Sequence, residues 1–142
     1  MNRKQYLEYV DHFNNKRYDA VTSYFAPDIT VEYFDNAYGA KIPARTLHGP
    51  EEFAASYKAL HAHTREILEL RDFMSEGNLM FVELYTEFHT FKDAISNAGE
   101  PWKKGDTRIM INWVVYDMEG GKMKRIRIAH FRNNDPNTAR YK

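Results

Sequence analysis

With six His, ten Tyr, a combined twenty Asp and Glu, and no Cys, the catalytic chemistry open to these 142 residues is acid–base work by imidazole, carboxylate and phenol. Imidazole changes charge near neutrality and can take or give a proton, so the histidines are read first. His61-Ala62-His63 forms one group and His89 another. Alternate residues of a strand share a face, which puts Phe81, Glu83, Tyr85, Glu87 and His89 in one row and Met80, Val82, Leu84, Thr86 and Phe88 in the other. Two arrangements fit. The apolar row is the core and the polar row meets water, or the polar row is the wall of a pocket closed by helices. A bulge would exchange the rows midway. Asn112 interrupts the apolar run from Ile109 to Val115. An unpaired buried amide costs about 1–3 kcal/mol, so Asn112 needs a neighbouring strand, a loop or a ligand as partner. Tyr33 and Asp35 share a parity at the end of a strand, where Asp35 either points with the phenol or caps the next loop.

Several chemistries are excluded. His61-x-His63 with Glu66, Glu69 or Glu87 has a metal-like composition, but no HExxH or related signature accompanies it, so no metal is expected. The absence of Cys removes disulfides and thiol nucleophiles, and no Gly-x-Ser-x-Gly, GxGxxG or P-loop occurs, so no cofactor is expected either. Twenty basic residues balance twenty acidic ones, which gives no global pull toward nucleic acid or anionic lipid. Basic residues gather from Lys122 to Lys142 and acidic ones from Glu66 to Glu87, a separation that cross-strand ion pairing would serve. The opening MNRKQYLEYV lacks the apolar run of a signal peptide, and no stretch approaches the ~18–20 apolar residues of a membrane span. A single soluble, cytoplasmic domain over residues 1–142 is expected, with a polar tail from 132.

The elements that must position these groups follow from periodicity. Tyr6, Tyr9, Val10 and Phe13 lie on one helical face, and Asn14-Asn15 ends that helix. Tyr18 to Phe25 reads as a short second helix, broken by Ala26-Pro27-Asp28, and Ile29 to Phe34 as a strand. Asp35 to His48 has no period and reads as a loop. Gly49-Pro50-Glu51-Glu52 starts a third helix with Phe53, Tyr57 and Leu60 on one stripe, running to about His63. The period then changes to two over Arg65–Met74, Leu79–Lys92, Thr107–Tyr116 and Lys122–Phe131, with turns at Glu76-Gly77-Asn78 and Glu119-Gly120-Gly121. Asp93 to Gly105 reads as a crossover loop, and Asn133 to Lys142 as a tail without a core stripe. Three helices on one face of a curved antiparallel sheet, an α+β class, is the architecture expected.

Tyr6 to Phe13, Tyr18-Asp19-Ala20-Val21, Phe25-Ala26-Pro27-Asp28-Ile29-Thr30-Val31-Glu32, His48-Gly49-Pro50-Glu51-Glu52-Phe53 and Gly120-Gly121-Lys122 together resemble the nuclear transport factor 2-like superfamily in its SnoaL-like branch. The resemblance implies a cone-shaped sheet wrapped on three helices around a pocket, and dimerisation through the outer sheet face. Function is not settled by that fold, whose members include isomerases, dehydratases, cyclases, epoxide hydrolases and binding domains. The polar positions are most similar to the scytalone dehydratases, cofactor-free enzymes, whose pattern falls on Tyr33, near His63, on His89 and on Asn112. Their helix-one Tyr-Asp pair falls on Phe13-Asn14, a departure that Tyr9 could offset. Members resembling ketosteroid isomerases place a tyrosine at Tyr9 and an aspartate at Tyr33, with Asp35 two positions on. The implied activity is a lyase or isomerase on a cyclic polyketide or terpenoid. His89 would be the base, His63 the acid at the leaving oxygen, Tyr33 (with Tyr9) the group polarising the carbonyl, and Asn112 the partner of a substrate hydroxyl. Phe13, Tyr85, Met110 and Trp113, with Asp35, would line the substrate; the partners implied are a small hydrophobic or aromatic molecule and a second copy, with no nucleic acid or membrane.

Overall fold

The computed structural model describes residues 1–35, 43–96 and 99–141. Helix α1 (Arg3–Asn14) starts from a reciprocal cap: the Asn2 side chain accepts from the Gln5 amide and the Gln5 side chain from the Asn2 amide. Tyr6, Tyr9, Val10 and Phe13 are its buried stripe. Helix α2 (Tyr18–Thr22) stops three residues short of the expected Phe25. The Tyr24 carbonyl already accepts from the Met123 amide at 2.8 Å, so the chain has joined the sheet. Strand β1 therefore runs Phe25–Phe34, and its register against the neighbouring strand shifts between Phe25 and Thr30. That irregular stretch accommodates Pro27, which has no amide to give a ladder.

The expected loop after β1 holds a strand, β2 (Arg45–His48), antiparallel to β1. Helix α3 spans Gly49–His61, with Pro50 in its first turn, and the Glu52 carboxylate accepts from the His48 amide. It ends earlier than about His63 because the His63 carbonyl already accepts from the Phe91 amide as part of the next strand pair. The remaining strands are β3 (Thr64–Glu76), β4 (Leu79–Thr90), the two-residue pair β5 (Ala94–Ile95) and β6 (Pro101–Trp102) inside the expected crossover loop, β7 (Thr107–Glu119) and β8 (Lys122–Asn134). The main sheet has the order β2-β1-β8-β7-β4-β3. It is mixed, not purely antiparallel as expected: β8 closes against β1 and runs parallel to it, while the other neighbours are antiparallel. Among the described residues no helix is long and apolar enough to cross a membrane.

Pairing register decides which side chains face the helices. Glu66, Phe88 and Arg108 lie abreast, as do Leu68, Thr86 and Met110, then Leu70, Leu84, Asn112 and His130. Helix α1 packs on this side. The Tyr6 ring centre is 5.6 Å from that of Tyr116 and 5.9 Å from that of Phe73. The Asn14 side chain accepts from the Leu68 amide and donates to its carbonyl, at 2.8 and 2.9 Å. It thereby fills the free edge of β3, as a further strand would. Strand β4 pairs with β7 without a bulge, so its rows never exchange.

The opposite side of the sheet is covered where the sequence showed no stripe to cover it. Ala139 and Tyr141 from the tail pack on Tyr85, Ile109 and Ile111. Beneath them Glu87 is fully buried and accepts from the Tyr85 hydroxyl (2.5 Å), the His89 ring (2.7 Å) and the backbone amides of Arg140 (2.6 Å) and Tyr141 (3.0 Å). The tail is a clamp, not loose chain. Burial pushes the Glu87 carboxyl up, but these hydrogen bonds outweigh it and hold it below the usual carboxylate range. The folded value lies below the unfolded one, so the clamp stabilises at neutral pH and weakens only as pH falls through the folded value. Glu87→Ala should cost about 2–4 kcal/mol in urea unfolding, with four donors losing their acceptor. Amide exchange at Arg140 and Tyr141 should accelerate in the same variant.

Candidate functional site

Helix α3 and the start of β3 hold a buried imidazole–carboxylate pair. His61 and Glu66 are both buried, and the His61 Nε2 lies 2.9 Å from a Glu66 carboxylate oxygen. The other ring nitrogen, Nδ1, is 2.7 Å from the Tyr18 hydroxyl. The helix ends on His61 and the strand begins at Thr64, so a three-residue step brings the last inward position of the helix onto an inward position of the strand. A buried carboxylate is costly unless partnered. Burial raises the Glu66 carboxyl, and the hydrogen bond and charge of His61 only partly offset this. Such a carboxyl can both hold and release a proton nearer neutrality than an exposed one.

A second, half-buried pair continues the line. The hydroxyls of Tyr33 and Tyr57 are 2.6 Å apart, and Tyr57 lies four residues before His61 on the same helical face. Burial raises both phenols, Tyr33 to about 12, so both keep their protons and remain hydrogen-bond donors at ordinary pH. Phe13 packs edge-on against Tyr57 and His61, with ring centres 5.2 and 5.6 Å away. Among the described residues Tyr33, Leu68, Met110, Asn112, Ile128 and His130 all face the helices and yet stay half-exposed. The half-exposure of these inward positions outlines a candidate cleft on this side of the sheet. Two buried oxygens there have no hydrogen-bond partner, Oδ1 of Asn112 and Oγ1 of Thr86. Unpaired groups of this kind carry a desolvation penalty that a polar ligand would relieve.

The residues singled out in the sequence divide between the two sides. Tyr9, Phe13, Tyr33, Met110 and Asn112 lie on the helix side. Asp35 stands at the rim, 2.6 Å from the Nδ1 of His130, and His130 is the direct cross-strand neighbour of Asn112. His63 lies beyond the row of Glu66, with Nδ1 2.7 Å from the Thr64 hydroxyl and its ring 5.9 Å from that of Trp102. Burial and the neighbouring His61 lower its pKa. His89, Tyr85 and Trp113 are on the far side, because His89 pairs with Arg65 and Thr107 while Thr64 and Glu66 carry the inward parity. His89 is committed to Glu87 in the tail clamp, Tyr85 lies under Tyr141, and the Trp113 indole donates to Glu83 and stacks on Phe131. The convergence of His89 with His63, Tyr33 and Asn112 is thus corrected: the apolar row of β4 is the core row, and the polar row is capped from outside.

The sequence reading missed Tyr57, Tyr18, His130 and Thr86 as site residues. Extending the stripe Phe53, Tyr57 by one more four-residue step reaches His61, the inward histidine of the pair. Among the described residues no group of three or more His, Asp or Glu is placed to hold a metal ion.

The SnoaL-like domain family matches residues 6–126. The chain belongs to that family. Among curated proteins no sequence matches it. Solved structures resemble this SnoaL-like chain at the level of fold. One is a candidate polyketide cyclase from Pseudomonas putida KT2440, with 19% identity, a TM-score of 0.67 and coverage of 87% of this chain and 86% of that one. Another is TerC co-crystallised with polyporic acid, with 17% identity, a TM-score of 0.65 and coverage of 90% and 89%. A third is an epoxide hydrolase of the LEH-like kind from M. tuberculosis, with 10% identity, a TM-score of 0.61 and coverage of 87% and 77%. The fold is of the nuclear transport factor 2-like kind, three helices on a six-stranded, mostly antiparallel sheet.

Two measurements test the site's energetics. The Glu66 carboxyl is raised on folding, so stability falls as pH rises from its unfolded to its folded value, and the penalty is complete above that window. Glu66→Gln keeps an acceptor for His61, so it should raise stability at neutral pH by about 1 kcal/mol and flatten that slope in urea titrations at several pH values. Thr86→Val removes an unpartnered oxygen and should raise the melting temperature, whereas a hydroxyl with a hidden partner would make the same change destabilising.

Proposed function

We propose that this SnoaL-like domain is a cofactor-independent lyase or isomerase, of dehydratase or cyclase type, acting on a cyclic polyketide or terpenoid that carries a carbonyl. The observation that carries this reading is the buried His61–Glu66 pair at the foot of a partly open cleft. Removing water from a β-hydroxy ketone, or closing a ring beside a carbonyl, needs a base for the adjacent proton, donors for the enolate oxygen and an acid for the leaving oxygen. Glu66 takes the proton, with His61 fixing the carboxylate. The Tyr33–Tyr57 hydroxyl pair donates to the enolate oxygen, because both phenols stay protonated. Asn112, half-exposed and with an unpartnered side-chain oxygen, meets a substrate hydroxyl. Phe13 and Met110 supply apolar wall to a flat ring. His63, two residues on from His61 and held by the Thr64 hydroxyl, is the candidate acid. The names of the fold relatives, candidate cyclases and a hydrolase among them, are in keeping with this class.

A second reading rests on the rim pair. Asp35 is the base of an isomerase or cyclase, oriented by His130 at 2.6 Å. The outer sheet face, where Trp113 stacks on Phe131 at 4.0 Å, is the surface on which a second copy would dock. A panel of cyclic β-hydroxy ketones and linear polyketide analogues, followed by loss of substrate absorbance, tests the assignment. Glu66→Gln should lower kcat by about 10²–10⁴-fold, the usual worth of a positioned acid–base group. Asp35→Asn should leave most of the rate. The reverse ranking transfers the base to Asp35, and binding without turnover, flat with pH, makes the cleft a noncatalytic site for hydrophobic ligands.

A further inference from the structure

We propose that Tyr18 is the proton conduit between solvent and the His61–Glu66 pair. The proposal rests on the acid–base reading of that pair and adds the route by which the pair is reset. The His61 side chain is only 3% exposed, and its two ring nitrogens are engaged, Nε2 by Glu66 and Nδ1 by the Tyr18 hydroxyl at 2.7 Å. No proton leaves such a ring directly to water. Tyr18 is the one of these two partners that reaches the surface. It lines an open depression of about 430 Å³ with Lys16, Arg17, Asp19, Ala20 and Lys58, none of which is among the candidate cleft positions. The Lys58 ammonium stands 5.5 Å above its ring. Substrate entering from the cleft and protons entering from this depression would therefore use different doors.

The transfer balances without any other reactant. In one state Glu66 is a carboxylate, His61 donates to it from Nε2, and the Tyr18 hydroxyl donates to Nδ1. A water in the depression gives a proton to the Tyr18 oxygen as the Tyr18 proton moves to Nδ1 and the Nε2 proton moves to Glu66. In the resulting state Glu66 is a neutral acid, His61 is the Nδ1–H tautomer, Tyr18 is again a phenol, and one proton has been taken from solvent. The reverse shift discharges Glu66 after it has taken a proton from a substrate carbon. Tyr18 acts through His61 and is a positioning residue, not a catalytic one.

The test needs no substrate, so its failure is separate from any failure of the proposed activity. The His61 ring N–H resonance is followed by proton NMR on the full chain, and its exchange with water is measured by saturation transfer in the wild type and in Tyr18→Phe. The variant keeps the ring and loses only the hydroxyl. Exchange should slow at least tenfold in Tyr18→Phe, while the nitrogen-15 shifts of the ring still report a hydrogen bond to Glu66. Tyr24→Phe, which removes an unconnected phenol near α2, should leave the rate unchanged. Equal or faster exchange in Tyr18→Phe, or equal slowing in both variants, overturns the proposal.

Discussion

A carboxylate buried against an imidazole, where helix α3 ends and strand β3 begins, is the constraint around which the helix side of this molecule is arranged. Glu66 is one of two fully or nearly fully buried carboxylates among the described residues, the other being Glu87. They are handled in opposite ways. Glu87 accepts four hydrogen bonds and is held below its ordinary pKa, which makes it a structural anchor. Glu66 has His61 as its hydrogen-bond partner, and burial keeps its pKa raised. The first is held ionised by its donors, whereas the second keeps a raised pKa, which is why the proposed acid–base role is given to it.

The same contrast separates the two histidines that partner these carboxylates. Position along a strand gave His89 the right neighbours, a carboxylate and a phenol, but on the wrong side of the sheet. Alternation divides a strand into two rows without saying which row the helices cover. Met80, Val82 and Leu84 of the apolar row pack in one core with the helix stripes, and Phe88 packs on Trp102, as hydrophobic burial requires. The polar row is closed by Ala139 and Tyr141, a cover invisible to periodicity because two residues have no period. His61 stood within the expected helix, and extending the Phe53, Tyr57 stripe reaches it, but the sequence does not show that Glu66 folds back onto its ring.

Much of the architecture was legible. The stripes of α1 and α3, the turns at Gly77 and Gly120-Gly121, and the four long strands stand where composition and spacing put them. The parallel closure of β8 on β1 was not legible, since no local pattern records which distant strand becomes a neighbour. The short β2 and the early end of α2 depend likewise on backbone hydrogen bonds to strands remote in sequence. Within the candidate site, Tyr33 and Asn112 stood out by their types and by Asn112 breaking an apolar run, and both lie on the helix side. Tyr57 and Thr86 did not, because a Tyr in a helical stripe and a Thr in a strand read as ordinary core until their hydroxyls are seen in place.

The central claim is that chemistry belongs to the helix side of the sheet, at His61–Glu66, and not to the outer polar row. Titrating a planar hydroxyketone into protein labelled at its imidazole and side-chain amide nitrogens addresses this most directly. Shifts at the ring of His61 and the amide of Asn112, with the ring of His89 unmoved, are the predicted footprint. A footprint on His89 that leaves His61 and Asn112 untouched would contradict it.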